Sequence, residues 1–93
     1  MDLENTLVIG DKEVSFTVNV EKIKKLELRT GKGIFNLMQD IGLVTVEAVF
    51  TQFVNVEKDK DKLFNEALNQ YGMSGLFEFL TNQIQSQAGF LFR

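Results

Sequence analysis

The sequence predicts an α+β fold, with an N-terminal antiparallel β-hairpin packed on a cluster of four to five short α-helices. Three observations lead there. The first twenty residues alternate apolar and polar side chains, the rest carries apolar residues at i, i+3, i+4 and i+7, and glycines punctuate the change from one run to the next. With 93 residues and 44% hydrophobic content, the chain has enough apolar surface for one core and too little length for a second. Residues 1–93 therefore read as a single domain: a hairpin over about 4–19, a helical part over about 20–88 and a tail over 89–93.

In the hairpin, Leu7 and Ile9 fall on one side with Val8 on the other, and Val14, Phe16 and Val18 alternate with Ser15, Thr17 and Asn19. Gly10-Asp11-Lys12 connects the two runs, and Gly10 supplies the positive φ that a tight turn requires. The strands are expected at about 4–9 and 13–19. An isolated hairpin is marginal in water, so its Val14/Phe16/Val18 face must rest on the helices.

Asn19 is placed to cap a first helix over 20–29, with Val20, Ile23 and Leu26 inward and Lys24, Lys25 and Arg29 on the wetter side. Thr30-Gly31-Lys32-Gly33 breaks it. Ile34, Leu37, Met38 and Ile41 form the stripe of a second helix closed by Gly42 as a left-handed C-terminal residue. Val46, Val49, Phe50, Phe53 and Val54 follow from Thr45, the expected cap of a third. The alternating charges of Glu57-Lys58-Asp59-Lys60-Asp61-Lys62 read as a solvated loop, with Asp59 or Asp61 near the positive end of the next helix dipole. Leu63, Phe64, Ala67, Leu68 and Tyr71 face inward up to Gly72, and Ser74 opens a last helix with Leu76, Phe77, Leu80, Ile84 and Ala88 inward. The tail Gly89-Phe90-Leu91-Phe92-Arg93 reads as frayed.

The residue inventory narrows function. With no Cys and no His, the usual ligands for zinc, iron–sulfur and haem are missing, as are Cys/His and Ser/His nucleophile pairs. The alternating-charge run lacks the sixth-position glycine and twelfth-position glutamate of a calcium loop. Gly31-Lys32-Gly33 lacks the GxxxxGK[ST] frame of a phosphate loop. Glu27, Asp40, Glu47, Glu66 and Glu78 are scattered, with no pair spaced for acid/base work. No enzyme, cofactor or metal site is expected. No run of 18 apolar residues is present, and the acidic, polar start is unlike a signal peptide, so no membrane partner is expected.

Two features point to binding. Lys22, Lys24, Lys25, Arg29 and Lys32 place five cations in eleven residues of a chain whose net charge is −3. They lack the interleaved aromatics of a nucleic-acid surface and form an electrostatic dock for an acidic protein partner, or a solvated face. The second feature is a deficit: residues 33–56 carry only Asp40 and Glu47, and residues 63–92 only Glu66 and Glu78. A free monomer normally charges its outer helix faces, so surplus apolar surface marks a partner or self-association site. Phe50, Phe53, Phe79, Phe90, Leu91 and Phe92 are the candidate partner-binding residues.

The order of motifs carries a resemblance. A hairpin with Gly10-Asp11-Lys12 precedes Leu26-Glu27-Leu28-Arg29-Thr30-Gly31-Lys32-Gly33 and Ile34-Phe35-Asn36-Leu37-Met38-Gln39-Asp40-Ile41-Gly42. Thr45-Val46-Glu47-Ala48-Val49-Phe50 and Ala67-Leu68-Asn69-Gln70-Tyr71-Gly72 follow. Over nearly the whole chain this order resembles the tail assembly chaperones of long-tailed bacteriophages and gene transfer agents. The resemblance implies a non-enzymatic protein of the infected host's cytoplasm that coats the tape measure protein, recruits tail tube protein through a longer form, and is absent from the mature virion. Many relatives make that longer form by ribosomal frameshifting near the end of the short frame. Gly89-Phe90-Leu91 is encodable as GGU-UUU-UUA, which contains the slippery heptamer U-UUU-UUA. Two alternatives belong to other classes: a structural tail or head–tail connector component, which would persist in the particle, and a small regulatory nucleic-acid-binding protein using the cations at 22–32.

Overall fold

Alternation at the N-terminus and helical periodicity thereafter both translate into structure. The computed structural model describes residues 5–93 and has the order β1 (Thr6–Ile9), β2 (Lys12–Ser15), α1 (Val20–Thr30), α2 (Ile34–Gln39), α3 (Leu43–Phe53) and α4 (Lys60–Gln87), followed by a 3₁₀ turn (Gly89–Phe92). This is the expected α+β arrangement of an antiparallel hairpin followed by four helices. The position at which the first strand is expected to begin, residue 4, lies outside the described residues.

β1 and β2 pair with Leu7 opposite Val14 and Ile9 opposite Lys12, so Gly10 and Asp11 form the turn, with Gly10 at φ 64°. Val14, Phe16 and Val18 are all buried, as the alternation requires. The hairpin ladder is shorter than expected because the chain after Ser15 changes partners. Phe16 N–H still donates to the Asn5 carbonyl (2.8 Å), but Thr17 N–H donates to the Phe53 carbonyl (2.9 Å) and Asn55 N–H to the Ser15 carbonyl (2.9 Å). Phe16 and Val54 form a single antiparallel bridge. The extended segment thus plugs into the C-terminal end of α3, and its backbone groups are satisfied there.

Asn19 caps α1 as expected, its Oδ1 accepting from Lys22 N–H at 2.9 Å, and Gly31 ends the helix at φ 72°. Val20, placed inward by spacing, is instead half-exposed in the first turn. The next connection corrects the sequence reading more substantially. α2 stops at Gln39, Ile41 is 49% exposed, and Gly42 has φ −64° and is the N-cap of α3, not the left-handed end of α2. Thr45 lies within the first turn of α3 and does not cap it.

α4 begins inside the charged run, with Asp59 as N-cap and Asp61 in its first turn, which places both acidic residues at the positive end of the dipole, although the Asp59 side chain makes no capping hydrogen bond. It has two limbs, because Gly72 has φ 78° and ψ 169°, which no helix accommodates. These limbs correspond to the two late helices that the stripes 63–71 and 74–88 define. The tail is not frayed: residues 89–92 wind into the 3₁₀ turn, and Leu91 packs on the core.

The buried apolar residues form one contiguous cluster. At its centre four rings run edge-to-face: Phe79 to Phe16 (5.1 Å between centroids), Phe16 to Phe50 (5.3 Å) and Phe50 to Phe64 (5.4 Å). This chain links the second limb of α4, the hairpin segment, α3 and the first limb of α4 through one set of favourable quadrupole contacts.

Candidate functional site

Apart from Val8, Val20, Leu28 and Tyr71, the large apolar side chains exposed among the described residues lie on or beside α2 and in the C-terminal turn. Phe35 (49% exposed) stands in the first turn of α2, and Ile41 (49%), Leu43 (53%) and Val44 (80%) follow its last. Six helical residues span only about 9 Å, so both groups belong to one neighbourhood. The C-terminal turn joins it, since the Phe92 ring meets the Phe35 ring edge-on at 5.5 Å and Phe90 is exposed in the same turn. Asp40 is the one charged residue between positions 33 and 46. An apolar side chain at the surface is unremarkable singly, but six large ones on and beside a six-residue helix form a patch whose one aromatic pair, Phe35 with Phe92, leaves both rings nearly half-exposed.

Asp40 is occupied within the fold. Its Oδ1 accepts from Gly42 N–H at 2.9 Å and its Oδ2 from the Thr45 hydroxyl at 2.8 Å, so it caps α3 from outside. Lys32 Nζ lies 3.3 Å from the same Oδ2. The Gly42 amide above all, then the Thr45 hydroxyl and Lys32, hold the Asp40 carboxyl below the ordinary aspartate range. Glu27 does the equivalent for α2: its Oε2 accepts from Ile34 N–H at 2.8 Å across the Gly31–Gly33 break. Both helices have a glycine N-cap without a capping side chain, and each borrows a carboxylate from the preceding element.

The six candidate partner-binding residues divide. Phe90 and Phe92 belong to the exposed patch. Phe50 and Phe53 do not: at 0% and 1% exposure they are core, because α3 buries the face shared by Val46, Val49, Phe50 and Phe53 against α1 and α4. Phe79 and Leu91 are half-buried against the core, Phe79 through its contact with Phe16. Phe35, Ile41, Leu43 and Val44 were not singled out by spacing, since Ile41 reads as the last member of the α2 stripe. The signal for them is the density of apolar residues around Gly42, more than one helix face can bury.

The cations also divide. Arg29 donates to the Ala48 carbonyl (2.8 Å) and Lys32 pairs with Asp40. Lys22 donates to Asn55 Oδ1 (3.2 Å), and burial, then the nearby Lys60, draws it below the ordinary lysine range. Lys24 and Lys25 are exposed on α1 with no side-chain partner among the described residues. The basic run is thus largely used to tie α1 to α3 and to the end of α2, and the cations at its ends do not converge on one target.

Among the described residues no group of three or more carboxylates could hold a metal ion, and no helix is long and apolar enough to cross a membrane. No family model, curated protein or solved structure matches the chain.

Proposed function

We propose that this protein is a tail assembly chaperone that binds the tape measure protein during assembly of a long bacteriophage tail. It acts as a binding module without catalysis, in the cytoplasm of the infected host, and does not remain in the mature virion. The observation that carries the reading is the apolar patch of Phe35, Ile41, Leu43, Val44, Phe90 and Phe92 around a nearly uncharged segment. A long amphipathic helix presents apolar side chains at i, i+3, i+4 and i+7, and a convex helical partner is held by such a patch through burial with few charged contacts. Recruitment of tail tube protein belongs to a longer, frameshifted product, and the motif order described above supports that part.

Co-expression with the tape measure protein of the same genome tests the proposal. The wild-type chain is expected to keep the tape measure protein soluble and to co-purify with it. Val44→Glu and Ile41→Glu replace exposed side chains, so each should leave stability within about 0.5 kcal/mol of wild type while abolishing co-purification. Retained binding in both variants, or recovery of the short chain in purified particles, would overturn the reading; the latter would favour a structural connector.

A further inference from the structure

A shallow, open crevice of about 470 Å³ lies between α1 and the C-terminal end of α3, and Lys60 at the start of α4 also lines it. Lys22, Lys25 and Lys60 line it together with Gln52, Asn55 and Glu57. Three lysines therefore line it with one glutamate, in a chain whose net charge is −3. None of the three is in an ion pair among the described residues, where Lys32 pairs with Asp40 instead. Lys22 and Lys60 stand close enough for the charge of one to disfavour that of the other, a repulsion that a bound anion would relieve.

We infer that this crevice is a binding site for carboxylate side chains of an acidic protein segment. The chemistry distinguishes a carboxylate from a phosphate dianion. Lys60 Nζ donates to the Thr51 carbonyl (3.2 Å) and Lys22 Nζ to Asn55 Oδ1 (3.2 Å), so part of their capacity is committed to neutral acceptors. The carbonyl end of α3 contributes to the same wall, and its negative pole opposes any anion, most strongly one that concentrates two charges on a single group. No arginine fork lines the crevice, and that is the group best suited to bidentate phosphate recognition. Carboxylates one helical turn apart carry one charge on each group and suit several flexible ammonium groups. The crevice shares no residue with the apolar patch, so the inference stands whatever that patch binds.

The test uses the full chain, ¹⁵N-labelled, and two capped alanine-based helical peptides, one with two glutamates at i and i+4 and one with glutamines there. Inorganic phosphate is titrated separately at matched ionic strength. The glutamate peptide is expected to give saturable shifts at the side-chain amides of Gln52 and Asn55, and the glutamine peptide to bind about tenfold more weakly. Lys25→Gln and Lys60→Gln should each weaken binding about threefold or more, with Lys24→Gln, one residue outside the crevice, nearly neutral. Thermal melting of each variant confirms that it is folded. Absence of saturable shifts, equal losses for Lys24→Gln and Lys25→Gln, or tighter saturation by phosphate than by the glutamate peptide would each overturn the inference.

Discussion

Two glutamines do work in this fold that apolar periodicity does not reveal. Gln87 accepts from Val18 N–H through Oε1 (2.9 Å) and donates to the Phe16 carbonyl through Nε2 (3.0 Å), so one side-chain amide takes the place of a missing neighbouring strand. Gln70 does the same at the other end of the hairpin, accepting from Gly10 N–H (2.9 Å) and donating to the Val8 carbonyl (3.0 Å), where the Tyr71 hydroxyl also donates. Gln87→Ala strands two backbone groups in a partly buried setting and should cost about 1–3 kcal/mol, whereas Gln70→Ala, at an exposed site, should cost about 0.5–1.5 kcal/mol. Urea denaturation of the two variants checks both the magnitudes and their order. Asp40 gives a second residue-scale expectation. Its folded pKa is depressed, so the stability it contributes is present above the unfolded value near 3.8 and is lost as pH falls through the lower folded value. Denaturation midpoints of wild type and Asp40→Asn measured from pH 6 downward should therefore converge in acid. An undiminished gap below the folded pKa would show that the carboxylate charge is not what holds Gly42 and Thr45.

At the scale of elements, the stripes locate α1, α3 and both limbs of α4 because each has a face where tertiary burial and local spacing agree. They miss the α2–α3 junction because the carboxylate that caps there does not stand at the N-cap position. The sequence rule looks for a Ser, Thr, Asp or Asn at the N-cap, and both helices have glycine, with Glu27 reaching in from seven residues before Ile34 and Asp40 from two residues before Gly42 in an Asx-type turn. Thr45 looks like a cap by type, yet its hydroxyl donates to Asp40. The second strand is overextended for a related reason: alternation reports which face is buried and not where the hydrogen bonds go, and after Ser15 they go to the end of α3. Gly72 was legible as a break and is one by backbone necessity. Open space surrounds the position of an added Cβ, so Gly72→Ala meets no clash and its cost, about 1–3 kcal/mol, comes from the φ/ψ region alone. Calorimetry of this variant should show a lower Tm, and incorporation of D-alanine should recover most of the loss, since the mirror-image residue favours positive φ.

Across the whole molecule, the Phe79–Phe16–Phe50–Phe64 contacts bind hairpin and helices into a common core, so the hairpin should not melt ahead of the helices. Phe16→Ala should cost about 3–5 kcal/mol, a large share of the roughly 5–15 kcal/mol that stabilises a domain of this size. Tyr71 fluorescence, which reports the hairpin–α4 contact, and far-ultraviolet circular dichroism should then shift together; separate transitions would show that the hairpin is an independent unit. The candidate surface was legible only in part. Charge depletion in 33–56 and 63–92 signals that apolar area is in surplus, but a side chain's exposure is decided by long-range packing, which is why Phe50 and Phe53 lie inside while Phe35 and Val44 lie outside. The contact of Phe92 with Phe35 has a practical side for anyone handling the protein. A purification tag or fusion partner joined after Arg93 leaves the domain beside the patch and is held there by a tether of a few residues. At the millimolar-order effective concentrations typical of short flexible tethers, even a weakly apolar tag competes with a true ligand. Binding constants obtained with such a fusion would report displacement of the tag as well as capture of the ligand.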